Sequence, residues 1–215
     1  MKHLKLYENF KNNLIFESKM VKSIEKICKK YSIENYTISS DGTVDVTGDV
    51  DLANNDFKIL PIKFGKITGD FECDNNKLKT LEGSPTEVGG TFYCQINELV
   101  TLEGSPKEVG GDFYCSFNQL ITLEGAPIKV GDSFCCDNNQ LVTLKGSPNS
   151  VGEDFDCSNN NLISLDGAPK EVDFFYCSNN NLISLDGISI SMSNGFSGIN
   201  CSGNPISQVY RLFGS

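Results

Sequence analysis

Seven of the nine cysteines recur at a nearly constant interval: Cys73, Cys94, Cys115, Cys136, Cys157, Cys177 and Cys201. The first four gaps are 21 residues, followed by 20 and 24. Thiols in such an array can pair as disulfides, hold a metal, or fill an interior. If the blocks stack as parallel strands, successive thiols lie about 4.8 Å apart. An in-register parallel pair does not readily supply the Cβ geometry of a disulfide. Thiolate metal sites usually show Cys-x-x-Cys or a nearby histidine, and the only histidine, His3, is far from the array. The favoured role is small apolar filler, since free cysteine is among the most buried residue types. Neither a metal nor a cofactor is expected. Reduced thiols in this number imply a reducing, cytoplasmic compartment.

Other catalytic patterns are missing from the sequence. It contains no phosphate-binding Gly-x-x-x-x-Gly-Lys-[Ser/Thr], no Gly-x-Ser-x-Gly and no His-Glu-x-x-His. Cys135 occupies a slot where neighbouring blocks carry tyrosine or an acid. It is expected to be exposed, with no base beside it to activate the thiol. Asp41, Asp45, Asp49 and Asp51 do not follow the spacing of a calcium loop. The remaining acids are periodic, as on a solvated surface. The chain therefore reads as non-enzymatic.

The cysteines belong to a longer frame, Phe-x-Cys-x-x-Asn-x-Leu-x-x-Leu. A phenylalanine stands two residues before each of the first six cysteines, and an asparagine three residues after all seven, from Asn76 to Asn204. An earlier unit fits with Val50 and Leu52 in place of phenylalanine and cysteine, making eight units over residues 49–209. Such self-similarity marks a solenoid. Phe and Cys should alternate inward on a short strand. The asparagine should bond the backbone of its own turn and of the neighbouring coil. Glycines such as Gly83 and Gly104, with the prolines two residues on, should turn the chain back, and Val88, Val109 and their equivalents should re-enter the core from the outer side. "GTVDVTGDV", residues 42–50, reads as a degenerate starter strand.

This frame resembles the leucine-rich-repeat consensus, with Phe and Cys in the two strand positions. The connecting "EGSP-x-EVGG" segments and the "SDGTVDVTGDVDL" opening resemble short Cys/Asn-ladder repeats of tailed phages and phage-derived bacterial genes. The resemblance implies an α/β-type repeat solenoid of short parallel β-strands and irregular turns, right-handed, with a helical N-terminal cap. The cap is assigned to residues 1–40, the solenoid to 41–209 and a closing tail to 210–215. Within the cap, Met20, Val21, Ile24, Ile27, Cys28 and Tyr31 share one helical face, with lysines on the other. Residues 4–16 suggest a second short helix or arm, and Leu212 and Phe213 a C-terminal lid.

Function is then expected on the outward face of the Phe-x-Cys strands, the surface solenoids use to bind. Its candidate contacts are Glu72, Tyr93, Ile96, Asp112, Tyr114, Phe117 and Tyr176. Tyr93 and Tyr114 should stand side by side, and Ile96 and Phe117 replace an asparagine in the same two coils. An apolar patch among acids suits a protein partner with a basic or apolar epitope. Residues 31–215 carry a net charge of −15 against +5 for residues 1–30, so nucleic acid is not an expected partner. No apolar run reaches membrane-spanning length, and no classical export signal is expected. The phage resemblance implies action on a host factor in the host cytoplasm; a self-associating virion or assembly component is the alternative.

Overall fold

The computed structural model describes residues 17–188 and 198–206. These residues form a solenoid of stacked parallel strands, with one helix among them over residues 17–30. Each regular coil contributes two short strands. The first carries the inward phenylalanine, as in Phe71–Glu72, Phe92–Tyr93, Phe113–Tyr114, Phe134–Cys135, Asp154–Asp156 and Phe174–Tyr176. The second carries the inward valine, as in Glu87–Val88, Glu108–Val109, Lys129–Val130 and Ser150–Val151. Among the described residues the phenylalanine sheet has eight strands, from Val50–Asp51 to Gly198–Asn200, and the valine sheet has seven.

The core lies between the two sheets. Phenylalanines stack in a continuous column from Phe71 to Phe175, with centroids 5.2–5.5 Å apart and rings within 15° of parallel. Beside them run the thiols, fully buried from Cys73 to Cys177, and the paired leucines of each coil. All nine cysteines are free. Burial pushes the Cys94, Cys115, Cys136 and Cys157 thiols well above the ordinary value, so they stay protonated and inert. Among the described residues no cluster of ligating side chains could hold a metal.

The asparagine ladder works as the frame predicts. Asn118 Nδ2 donates to the carbonyls of Cys94 in the preceding coil (3.0 Å) and Cys115 in its own (3.1 Å), while its Oδ1 accepts from Leu99 N at 3.0 Å. Asn97, Asn139, Asn160 and Asn180 repeat this pattern, all at most 9% exposed. Each amide thereby meets backbone groups of two coils that have no water to meet them.

The valine sheet adds to the expected architecture. One inward valine per coil predicts a contact, whereas the structure pairs these segments as a second parallel sheet. The glycine after each valine makes the pairing possible. A Cβ on Gly110 would lie 2.1 Å from Gly89 O, and one on Gly131 1.9 Å from Gly110 O. Here adjacent backbones approach too closely for any side chain. Gly83, Gly104, Gly125, Gly146, Gly167 and Gly187 serve differently, each holding φ near +90° at the turn.

The starter segment also lands differently. Val44–Val46 joins the valine sheet, parallel to Phe64–Ile67, and pairs antiparallel with Tyr36–Ile38. The 17–30 helix buries Ile24 and Cys28 in the common core with Ile33, Val44 and Val46, and the Tyr31 ring meets Phe57 edge-on at 5.4 Å. The expected arm at 4–16 and the lid at Leu212 and Phe213 lie outside the described residues.

Candidate binding face

The outward residues of the phenylalanine sheet form rows because the strands pair in register. Glu72 stands opposite Tyr93, Tyr93 opposite Tyr114, Tyr114 opposite Cys135, and Cys135 opposite Asp156. The Tyr93 and Tyr114 rings stack at 5.4 Å and 15°. Tyr114 Oη donates to Asp112 Oδ2 at 3.3 Å. Partial burial and the Asp112 carboxylate hold the Tyr114 phenol at about 12, so the hydroxyl remains a donor at any physiological pH.

Asp112 has a second task that the sequence did not disclose. Its Oδ1 accepts Ser133 N of the following coil at 2.8 Å. Asp49 and Asp70 do the same for Asp70 N and Thr91 N. This row of acids and hydroxyls fastens successive coils where each phenylalanine strand begins, which leaves one Asp112 oxygen to orient Tyr114.

Ile96 and Phe117 sit at the turn after the strand, with φ of 54° and 55°. Asn75, Asn138, Asn159 and Asn179 occupy the same slot at φ of 49° to 55°. Asparagine tolerates this left-handed conformation, whereas a β-branched or bulky residue is strained there by about 1–2 kcal/mol. Ile96 is also 50% exposed and Phe117 56%. Both residues therefore bear a conformational and a hydration penalty together, in the two coils that carry the tyrosine pair. In the first of these coils, Gln95 Oε1 is buried and accepts no hydrogen bond from the described residues.

The remaining candidates lie around this centre. Glu72 shares a negative border with Asp51, Asp74, Asp70 and Asp49, and burial, then those neighbouring carboxylates, raise its carboxyl above the ordinary range. Tyr176 is not brought to the tyrosine pair. Cys135 and Asp156 intervene, so it stands about three coil spacings, roughly 14 Å, from Tyr114. It packs on Phe174 instead, with centroids 4.6 Å apart.

Cys135 departs from its expected exposure. Tyr114 on one side and Asp156 on the other leave it half-buried. Burial and the surrounding aspartates push its thiol to about 12. A thiol held that high is a poor nucleophile at neutral pH.

A further exposed row escaped the sequence reading. Val100, Ile121, Val142, Ile163 and Ile183 each follow an inward leucine and face outward. Their signal was one aliphatic residue six positions after each of five successive cysteines, but adjacent aliphatics in a core-forming frame do not declare which one points in. No helix among the described residues is long and apolar enough to cross a membrane. In comparison with known proteins, no family model and no curated protein matches the chain.

Proposed function

We propose that this protein is a non-enzymatic interaction module that binds a partner protein through the outward face of its phenylalanine sheet. The carrying observation is the concentration of penalties at one place. Exposed Ile96 and Phe117 occupy left-handed turns beside the stacked Tyr93–Tyr114 pair, where other coils carry asparagine. Strained, sparsely tolerated conformations cluster where function requires them, and tyrosine is a favoured interface anchor. Asp112 and Glu72 border the patch, so the partner brings an apolar projection flanked by basic groups. Tyr176 is a peripheral contact for a partner long enough to span the intervening coils.

The repeat frame supports a leucine-rich-repeat type of solenoid, wound right-handed. The buried face of the 17–30 helix supports its role as the N-terminal cap, which an open-ended stack requires. Nine free thiols favour a reducing cytoplasm. The likeness of the connecting segments to phage repeats favours action on a host protein; that step is fold-level analogy.

The test is affinity capture from the native cytoplasm with wild-type protein and with Tyr93→Ala/Tyr114→Ala. The variant is expected to keep the wild-type circular dichroism spectrum and to lose a specific partner at least about tenfold. Equal capture by both proteins overturns the assigned face. Concentration-dependent self-association removed by the same substitutions would instead favour an assembly component.

A further inference from the structure

We infer that a second surface, distinct from the tyrosine face, is built to receive a basic amphipathic helix of a partner. The surface is the aliphatic stripe of Val100, Ile121, Val142, Ile163 and Ile183, which are 51, 53, 50, 67 and 68% exposed. The coils are in register at this edge. Gln119 N donates to Leu99 O and Gln140 N to Leu120 O, both at 2.9 Å, and Val142 N reaches Ile121 O at 3.2 Å. Asn161 N and Asn181 N continue the pattern to Leu141 O and Leu162 O, so the stripe is one in-register row, five side chains long.

Pitch, area and charge select the occupant. Successive side chains repeat at about 4.8 Å, so the row spans about 19 Å. One apolar residue per helical turn repeats at about 5.4 Å and drifts only about 2 Å over that length. An extended strand repeats on one face at about 6.8 Å and drifts about 8 Å, more than a whole rung. The exposed apolar area, roughly 100 Å² per residue and about 500 Å² in all, is near the largest patch of a typical soluble surface. It falls short of the roughly 800 Å² per side of a standard protein–protein interface, so it suits a single helix better than a globular surface.

Charge sets the polarity of that helix. Three residues after each stripe position the chain exposes Glu103, Glu124, Lys145, Asp166 and Asp186. The one lysine is tied to Glu124 at 2.8 Å. Two residues before each position stand Glu98, Gln119, Gln140, Asn161 and Asn181, with one charge among them. The stripe therefore has one acidic and one nearly neutral border, which favours lysines or arginines along one flank of the apolar seam. The basic helix of a second copy, residues 17–30, has already committed its apolar side, with Ile24 and Cys28 buried in its own core and Met20 packed against it.

The probe is a labelled 18-residue helical peptide with leucines along one face and lysines beside them, read by fluorescence anisotropy on the full chain. Its controls are the same composition scrambled and a version with glutamate for lysine. The patterned lysine peptide is expected to bind at least tenfold tighter than either control. Ile121→Thr/Val142→Thr/Ile163→Thr, which keeps β-branching, should remove that preference, and Tyr93→Ala/Tyr114→Ala should leave it intact. Equal binding of the scrambled peptide, or an undiminished preference in the threonine variant, overturns the inference. So does loss of binding in the tyrosine variant, which would place the peptide on the other face. Self-association relieved by the threonine substitutions would show a second copy as the occupant and overturn it too. Because the two variants act on different rows, failure here is distinguishable from failure of the tyrosine face.

Discussion

The coils of Cys94 and Cys115 and those of Cys136, Cys157 and Cys177 share one backbone and differ in what they show to solvent. At the turn after the strand all five hold φ between 54° and 55°. In the later three the residue is asparagine, and in the first two it is Ile96 or Phe117. One residue before the cysteine, the first two carry stacked tyrosines and the others Cys135, Asp156 and Tyr176. Since the fold asks the same of every coil, the later coils show what the scaffold needs. The departure of the first two measures what something other than the scaffold needs.

The shared part of this comparison is the easiest to break. Asn118→Ala would leave Leu99 N unmet in the interior and reduce Cys94 O and Cys115 O to one bond each, from Asn97 and Asn139, a loss of about 2 kcal/mol in urea unfolding. Asn160→Ala in the asparagine-bearing region should cost the same to within about 1 kcal/mol, because its bonds are equivalent. A clearly smaller loss at Asn118 would mean that the two regions are not one scaffold. The differing part predicts an effect of opposite sign. Ile96→Asn/Phe117→Asn should stabilise the protein by about 1 kcal/mol, as relief of left-handed strain exceeds the half-exposed contact area lost, while abolishing partner capture. The reverse change, Asn138→Ile, should destabilise by a similar amount. Stabilisation without loss of capture would detach the strained turns from binding.

The smallest effect is electrostatic and tests both regions at once. Burial raises the carboxyls of Glu72, beside the tyrosine coils, and of Asp74 and Asp156. For an acid raised in the native state, folding favours the protonated form. The native chain then binds more protons than the unfolded one, so stability falls as pH rises from the ordinary carboxylate range through the raised values. Thermal unfolding should therefore shift upward as pH is lowered from 7 toward the ordinary carboxylate range, and Glu72→Gln/Asp156→Asn should flatten that slope. A Tm that drops on acidification in this window would contradict the assignment.

Much of the phenylalanine side was legible because its demands are periodic and chemically narrow. A 21-residue return of Phe, Cys and Asn leaves few arrangements other than stacked rungs, and the buried thiols and bridging amides follow from it. The valine sheet was not legible. The inward valines recur every 21 residues, but two residues such as Glu87–Val88 are too few to show strand alternation, and the cause of their pairing is the approach of Gly110 to the Gly89 carbonyl one coil away. Nor could the sequence tell that Asp112 would fasten a neighbouring strand as well as orient Tyr114. Exposure was misjudged where it depends on a neighbour in the next coil, as at Cys135, covered by Tyr114 and Asp156. The tyrosine pair was legible from register alone, while the outward turn of Val100 and its equivalents required knowing which of two adjacent aliphatics the coil swallows.

The bridging asparagines carry a consequence for how such a chain can change. Each joins only adjacent rungs, as Asn139 Nδ2 does in reaching Cys115 O at 3.1 Å, so a rung has no obligations beyond its immediate neighbours. Copying or deleting one repeat's worth of coding sequence inserts or removes a storey without redrawing any other. The reach of a protein built this way is set by simple counting, and lineages can lengthen or shorten it faster than they could remodel a single globular core.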